Sequence, residues 1–289
     1  MKTISANTIS IESPQTEAER IAQAQIRNRQ LLVYVLRLAF LVLIMGGWEL
    51  AGRLEWMDPF FFSMPSKILE QIWTWFTEGT SLGPLWMQVL VTLEETALGF
   101  LIGSVAGIIA GIALGRNKLL ADVFSIYIKI ANSVPRVVLG SVFIIAFGLG
   151  MTSKVALAFV MVFFVVFGNA FQGVREADRN LIANAHILGA TKWQVTAFVV
   201  LPSAMAWILA SLHVSFGFAL VGAVVGEFLG SRQGIGLLIA TAQGAFNAAG
   251  VFAAMIVLAV VALGAEYLLT RLENSILKWR PPQFADNGH

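Results

Sequence analysis

Long apolar runs separated by short polar stretches dominate this chain. Each run holds about 20 residues, the length that an α-helix needs to cross a bilayer core of ~30 Å. The pattern therefore predicts an all-α membrane protein with about six transmembrane helices. We place them at residues 31–51, 90–114, 130–147, 155–171, 204–225 and 251–269.

Three segments between these runs do not fit a crossing helix. Residues 53–83 are interrupted by Pro59 and Pro65, and apolar residues at helical spacing then predict an interfacial helix on the outer face. The stripe comprises Ile68, Ile72 and Phe76, with Trp73 and Trp75 beside it. Residues 226–247 are glycine-rich and predict a short or re-entrant outer segment, whereas the polar residues 116–129 predict a cytoplasmic turn.

The same pattern divides the chain into four parts. Residues 1–30 form a polar tail, in which Ser13 and Pro14 can open an amphipathic helix; a largely unstructured tail is the alternative. Because this polar stretch precedes the first apolar run, we expect no secretory signal peptide. Residues 31–83 hold the first transmembrane helix and the outer interfacial segment. Residues 84–279 form the transmembrane core, with a polar loop at 177–202, and residues 280–289 form a second polar tail.

Composition and charge agree with a multi-pass membrane protein. The chain is 57% hydrophobic and 12% charged, far from the balance of a soluble domain. It has no cysteine, so disulfides and thiolate metal sites are excluded, and we expect no metal site of another kind and no nucleic-acid partner.

Lysine and arginine are distributed unequally between the two sides of the predicted topology. With both termini in the cytoplasm, the inner side collects Lys2, Arg20, Arg27, Arg29, Arg116, Lys118, Lys129, Arg175, Arg179, Lys192, Arg271, Lys278 and Arg280. The outer side keeps Arg53, Lys67, Lys154 and Arg232. Basic residues are enriched in cytoplasmic loops, so this bias predicts cytoplasmic termini and a cytoplasmic 177–202 loop.

Glycines recur at every fourth position of the second transmembrane helix. They are Gly99, Gly103, Gly107, Gly111 and Gly115. This spacing places them on nearly one helix face, where another backbone can approach closely. Packing within the chain and a seam between two copies are both compatible with the pattern. Near the outer end of this helix, Glu94 and Glu95 are expected in headgroups or an aqueous mouth.

A polar hinge at residues 183–202 separates two of the apolar runs. A short helix is expected to end at Gly189, which tolerates the left-handed conformation that follows many helices. A second is expected to begin at Thr191, since Thr191 and Gln194 have the spacing of a capping box. Pro202 is expected to interrupt the backbone before the next apolar run. Two short helices at a membrane surface make a knob suited to a cytosolic partner.

The spacing within this hinge resembles the cytoplasmic loop of ABC importer permeases. That family has Glu-Ala-Ala, three residues, Gly, nine residues, Ile, one residue and Leu-Pro. Gly189, Leu201 and Pro202 fall in register, Val199 replaces the isoleucine, and Ala183 stands where the family has its glutamate. The matching positions on which we expect ATPase coupling to rest are Ala183, Asn184, Ala185, Gly189, Ala190, Thr191, Leu201 and Pro202.

The resemblance extends over residues 85–279. Ser133-Val134-Pro135-Arg136, Phe147-Gly148-Leu149-Gly150 and Gly226-Glu227-Phe228-Leu229-Gly230 look like the nitrate, sulfonate, taurine and bicarbonate branch. Membership implies the type I permease fold with a cytoplasmic coupling helix, in a bacterial inner membrane. It also implies two ABC ATPase subunits, a second permease copy and an external solute-binding protein. Because the branch carries small inorganic anions, sulfonates, carboxylated aromatics and vitamin precursors, it does not single out one substrate.

Catalytic motifs are missing from the chain. No G-x-x-x-x-G-K-[ST] pattern occurs, and no nucleophile–base arrangement involves any of the three histidines. We therefore expect a non-catalytic subunit that binds no cofactor itself, with ATP and Mg²⁺ used by the partner ATPase.

Polar residues within or beside the spans are candidates for a translocation path. They are Ser133, Pro135, Arg136, His213, Ser215 and Glu227. Arg136 can attract an anion or extend to lipid phosphates. His213 can line the path or hydrogen-bond a neighbouring helix. Glu227 can line the outer mouth or cap a helix.

Two other classes of function remain alternatives. An ion-coupled secondary transporter of small solutes predicts inverted repeats and mid-membrane charges, and neither is evident along the chain. A membrane scaffold explains the glycines but leaves the hinge pattern as coincidence. The preferred hypothesis is the permease subunit of an ATP-driven importer of a small organic or inorganic anion.

Overall fold

The computed structural model describes residues 14–276, and helices form nearly all of its regular structure. The helices are α1 (Pro14–Arg53), α2 (Pro59–Phe62), α3 (Pro65–Thr77), α4 (Leu85–Gly115), α5 (Lys118–Ser133), α6 (Leu139–Phe147), α7 (Met151–Arg175), α8 (Arg179–Ile187), α9 (Lys192–Val195), α10 (Leu201–Leu229), α11 (Ile235–Gly244) and α12 (Ala248–Ile276). A 3₁₀ turn covers Arg136–Val138 and a π-helical turn covers Thr196–Val200. This confirms the predicted all-α class.

Five helices within residues 14–276 are long and apolar enough to cross a membrane. They cover Gln25–Arg53, Leu85–Gly115, Met151–Arg175, Lys192–Leu229 and Ala248–Arg271. Five of the six expected spans are therefore continuous helices.

The expected third span is divided at a proline. Helix α5 ends at Ser133, and Val134 is extended (ψ 128°) because a residue before proline is disfavoured in the helical region. The apolar helical segment that follows, Arg136–Phe147, is only about 18 Å long at 1.5 Å per residue, which is too short to cross alone.

The predicted polar turn at residues 116–129 is wrong. Helix α5 begins there instead, because the side chain of Asn117 accepts a hydrogen bond from the backbone N–H of Leu120 and caps the first turn. Apolar residues then recur at helical spacing through α5, and they are largely exposed.

The expected interruption at Pro202 is also wrong. Helix continues from Lys192 to Leu229 through the π-helical turn, in which Leu201 N–H donates to the carbonyl of Thr196, five residues earlier. Proline lacks an N–H, and its ring crowds the carbonyl four residues before it. A π-turn widens the helix at this point and takes up that misfit, so the chain does not break.

Residues 14–66 of the described part form one compact unit. Helix α1 begins at Pro14 and runs without a break into the first apolar span, so residues 14–30 of the tail are helical. Residues 1–13, including the proposed cap Ser13, lie outside the described part. At the outer end of α1, Glu49 accepts hydrogen bonds from Arg53 and from both the backbone N–H and the hydroxyl of Ser66.

The second unit begins at Lys67 and contains the helical core. In α3, Ile68 and Trp75 are buried, whereas Phe76 is 79% exposed. The buried face of α3 therefore runs through Ile68 and Trp75, whereas the predicted stripe ran through Ile68 and Phe76. Successive residues are about 100° apart around a helix, so Phe76 lies outside the buried face.

Helices α4 and α7 pack with their backbones in close contact along the glycine stripe. A Cβ added at Gly103 would lie 2.9 Å from the carbonyl oxygen of Phe159, and one at Gly111 would lie 2.8 Å from that of Phe167. The outer and inner members, Gly99 and Gly115, face α7 in the same way. The stripe therefore lies against a helix of the same chain.

Helix α10 packs against both α7 and α4. Close approaches occur where Gly222 meets Ala158 and where Gly173 meets Ala204. Nearer the knob, Val174, Val200 and Ile208 belong to one buried apolar cluster. Three helices thus form the centre of the second unit, while α11 follows α10 as the short outer segment expected at residues 226–247.

A bulky side chain at the centre of the glycine stripe should destabilise the protein. Gly107→Leu places its Cβ 2.9 Å from the Phe163 carbonyl oxygen and 3.0 Å from the Phe167 nitrogen, so the two backbones must separate. We expect a loss of about 3 kcal/mol or more, at the upper end of overpacking costs, measured as a lower thermal unfolding midpoint in detergent.

Gly168→Leu is the matched control, because nothing lies within 4 Å of a Cβ at this exposed glycine of α7. An unfolding midpoint for Gly107→Leu equal to that of Gly168→Leu would contradict the close-packing assignment.

Candidate functional site

The knob at residues 177–202 is built from two short helices with well-formed ends. After α8, Ala190 N–H donates to the Ala185 carbonyl and Gly189 N–H to the His186 carbonyl. This hydrogen-bond pair is the Schellman motif, and Gly189 has the left-handed φ of 84° that the motif requires. At the start of α9, Thr191 and Gln194 form the reciprocal capping box.

One face of the knob packs against the membrane helices. Ala185 and Ala190 pack against the buried cluster that includes Val174 of α7 and Ile208 of α10. Val195 belongs to that cluster and is itself buried. The knob is therefore packed against the neighbouring ends of α7 and α10 and is not a free loop.

The face of the knob that points away from α7 and α10 exposes large apolar side chains. Ile187, Leu188 and Trp193 are 82%, 87% and 71% exposed. A shallow cavity of about 320 Å³ lies between α8 and the start of the next helix. It is lined by Ala185, Leu188, Gly189, Ala190, Gln194, Val195, Phe198 and Val199. Clustered exposed apolar groups of this kind mark a surface that contacts another protein or the membrane.

The eight coupling candidates lie together on this knob and at its junction with α10. Ala183, Asn184, Gly189 and Thr191 are exposed, while Ala185, Ala190 and Leu201 are partly buried. Pro202 is exposed within the first turn of α10.

The six candidates for a translocation path are not brought into one site. Ser133, Pro135 and Arg136 surround the break between α5 and α6, where the Arg136 guanidinium lies 5.1 Å from the ring centre of Phe164. His213 is exposed and contacts Glu266 of α12.

Ser215, two residues beyond His213, turns to the opposite face of α10. It is fully buried there, and its hydroxyl has no hydrogen-bond partner. Of the two neighbouring candidates in α10, His213 is therefore exposed and Ser215 is not.

Glu227 is fully buried near the outer end of α10, where it caps α11. Its carboxylate accepts hydrogen bonds from the Thr92 hydroxyl (2.7 Å) and from the backbone N–H of Gly236 (2.7 Å). Thr92 Oγ1 in turn accepts from Ile235 N–H, and Gln88 accepts from Gly234 N–H. Side chains from α4 and α10 thus satisfy three N–H groups at the start of α11.

Two further charged residues lie in this buried group, and the expected placement of one of them, Glu95, in headgroups or an aqueous mouth is wrong. Glu95 is only 2% exposed, and its neighbours are Glu227 and Lys154. Lys154 has no exposed surface and donates to the carbonyls of Leu149 and Gly150. Both are buried because α10 and α11 cover the outer ends of α4 and α7. Glu94, on the other side of α4, is exposed as expected.

A sequence signal for this polar cluster does exist. Gln88, Thr92, Glu95 and Thr96 recur at helical spacing and lead directly into Gly99. They therefore lie on the same face of α4 as the glycines, which is the face that packs inside the protein. A polar group on that face has to find protein partners.

Comparison with known proteins gives one family and several close relatives. Residues 103–278 match the family described as "Binding-protein-dependent transport system inner membrane component". The putative aliphatic sulfonates transport permease protein SsuC of Bacillus subtilis (strain 168) is 30% identical over 267 residues, or 92% of this chain and 95% of its own length. The taurine transport system permease protein TauC of Escherichia coli (strain K12) is 29% identical, covering 87% of this chain and 91% of its own.

The fold is shared with a solved transporter structure. A chain of the MetNI methionine ABC transporter, in an inward-facing conformation, superposes with a TM-score of 0.58 over 66% of this chain and 95% of its own length. Sequence identity in that comparison is 19%, so the likeness concerns the fold. It confirms the type I importer permease architecture.

Removing the buried carboxylate should loosen α11. Glu227→Leu leaves the buried Gly236 N–H without its acceptor, which costs about 1–3 kcal/mol, while the Thr92 hydroxyl keeps only its longer hydrogen bond to the Gln88 carbonyl (3.1 Å). We expect a lower unfolding midpoint and faster hydrogen exchange at residues 234–236.

Glu94→Leu removes an exposed carboxylate one residue from Glu95 and serves as the control. Unchanged exchange at residues 234–236 in Glu227→Leu would show that other groups hold α11 in place.

Proposed function

The chain belongs to the binding-protein-dependent transport system inner membrane component family, and from this premise we propose that it forms the translocation pathway of an ATP-driven importer. The cargo is a small organic or inorganic anion of the sulfonate or taurine kind, which an external solute-binding protein delivers. The names of two relatives, an aliphatic sulfonate permease and a taurine permease, support this substrate class.

The observation that carries the proposal is the geometry of the knob. Its two short helices are closed by a Schellman motif and a capping box, anchored on α7 and α10, and covered outside by exposed apolar side chains. A rigid surface of this kind can receive a cytosolic partner and pass its movement to the membrane helices. We assign the partner as an ABC ATPase subunit.

Because Ala183 replaces the family's glutamate, the contact with the ATPase subunit differs at this position from that of the family. The family's glutamate is absent from this exposed position of α8, so the chain offers no carboxylate there. Ile187, Leu188 and Trp193 supply apolar contact area instead.

The complete transporter contains two copies of this permease, two ATPase subunits and one binding protein. The ATPase subunits bind ATP and Mg²⁺, while the permease performs no hydrolysis. ATP closes the ATPase pair, the two knobs move together, and the helices that they anchor open the path outward. The transporter lies in the bacterial inner membrane with both termini in the cytoplasm, as the lysine and arginine bias supports.

Coupling should depend on the backbone conformation of Gly189. A Cβ at this position would meet no atom within 4 Å, so substitution acts only through the positive φ. A β-branched residue pays at least about 1–2 kcal/mol in the left-handed region, whereas asparagine tolerates it. Gly189→Val should therefore abolish uptake and ATPase co-purification while the membrane helices still insert, and Gly189→Asn should keep both activities.

Uptake and ATPase co-purification at the level of the unmodified protein in Gly189→Val would exclude the knob as the coupling element. If Gly189→Asn also lost uptake and ATPase co-purification, glycine would be required at this position for a reason other than its positive φ.

The orientation can be tested with single cysteines, because the chain has none of its own. Ser81→Cys and Ser231→Cys should react with a membrane-impermeant thiol reagent in intact cells that carry the permease. Asn184→Cys, on the exposed side of α8, should react only after lysis. Labelling of Asn184→Cys in intact cells would show that the knob faces outward. The topology would then be the reverse of the one proposed, and an importer with a cytoplasmic coupling knob would be excluded.

A further inference from the structure

An intramembrane acid–base pair joins α10 to α12. His213 Nε2 lies 3.3 Å from Glu266 Oε1. Sixteen residues separate His213 from the outer end of its helix at Leu229, which is about 24 Å along the axis. Glu266 lies about 27 Å from the start of α12 at Ala248. His213 therefore lies near the middle of its apolar run at residues 204–225, and Glu266 lies about 5 Å from the knob-side end of the run at residues 251–269.

The pair is open on one side. The side chains of His213 and Glu266 are 41% and 54% exposed. Along the same part of α10, Ala206, Ala210 and Gly217 are small and exposed, no atom lies within 4 Å of a Cβ at Gly217, and the larger Val214 and Phe218 beside them are exposed as well. Space for a small solute therefore adjoins the imidazole.

The exposed surface of α12 has a different character. Its outward residues include Val260, Leu263 and Leu268, each at least 65% exposed. Large apolar side chains suit lipid contact, whereas ionisable residues within spans face water-filled cavities or other helices. We therefore place water and solutes on the side of α10 that carries the small residues Ala206, Ala210 and Gly217.

We propose that His213 is an anion-binding group of the translocation path and that Glu266 is its internal counter-ion. When no cargo is present, the Glu266 carboxylate contacts His213 Nε2. This inference rests on the proposed import of an anion. A sulfonate oxygen and the Glu266 carboxylate oxygen are the same kind of acceptor for an imidazolium N–H.

Exchange of one acceptor for the other explains both binding and release. When the cargo anion accepts from Nε2, Glu266 turns to the water-filled space beside the pair. When Glu266 returns, it takes back the donor and the anion loses its contact. No charge is left buried without a partner at either stage, so the site holds an anion without trapping it.

Histidine NMR measures this competition directly. The full-length protein has three histidines, so selective ¹⁵N labelling in phosphatidylcholine nanodiscs gives few imidazole signals, which His213→Gln and His186→Gln assign. Methanesulfonate is the probe, and dimethyl sulfone is its neutral counterpart of similar shape.

We expect methanesulfonate to shift the His213 signal and dimethyl sulfone to leave it unchanged. Glu266→Gln should tighten methanesulfonate binding by about two- to fivefold, the effect of removing a partly exposed ionic competitor. Glu94→Gln, which removes an exposed carboxylate elsewhere, should have no effect.

Three results would overturn the proposal. One is a His213 signal that neither compound shifts or that both shift equally. Another is equal methanesulfonate affinity in Glu266→Gln and the unmodified protein. The third is a His213 signal that responds to phosphatidylglycerol in the nanodisc and not to methanesulfonate, which would assign the pair to lipid headgroups.

The transport function is tested separately. In the transporter reconstituted with its ATPase and binding protein, His213→Gln should lower anion uptake at least about tenfold, as loss of a charged contact does, while ATPase co-purification persists. Unaltered uptake would contradict a role in the path. Failure of the unmodified chain to bind any ATPase would contradict the importer proposal and leave the NMR result standing.

Discussion

The backbone contact between α4 and α7 is the constraint on which the rest of the second unit depends. Lipid tails are as apolar as leucine side chains, so helices in a bilayer gain little from hiding apolar surface and must gain from close packing instead. Glycines at every fourth position let α4 approach α7 until a Cβ at Gly111 would touch the Phe167 carbonyl. Phenylalanines that stack along α7, such as Phe163 on Phe167, stiffen the opposing surface.

This close approach also makes the buried polar cluster possible. Gln88 and Thr92 lie on the glycine face of α4, so they point into the space between the helices, where α10 brings Glu227. Water is excluded there, and the first N–H groups of α11 take the place of water as donors. A wider gap between α4 and α7 would let water compete for each of these hydrogen bonds.

Local chemistry accounts for what the sequence could predict. Apolar runs of bilayer length, the spacing of the glycines and the Thr191–Gln194 capping box each depend on a few neighbouring residues. The burial of Glu95 does not, because it requires α10 and α11 to cover α4. The hydrogen bond from Thr92 to Glu227 joins residues 135 positions apart. Such long-range contacts leave no periodic trace, although the polar residues in line with Gly99 indicate the face that has to be covered.

The course of the chain at Pro202 was mispredicted for a different reason, and the difference matters for function. Proline usually ends a helix, but the π-turn before it keeps Lys192–Leu229 continuous over 38 residues, or roughly 55 Å. One helix therefore starts in the knob, passes His213 at depth and ends beside Glu227. A movement imposed on the knob cannot be absorbed by a flexible joint at Pro202. Any such movement passes along the continuous helix that carries both His213 and Glu227.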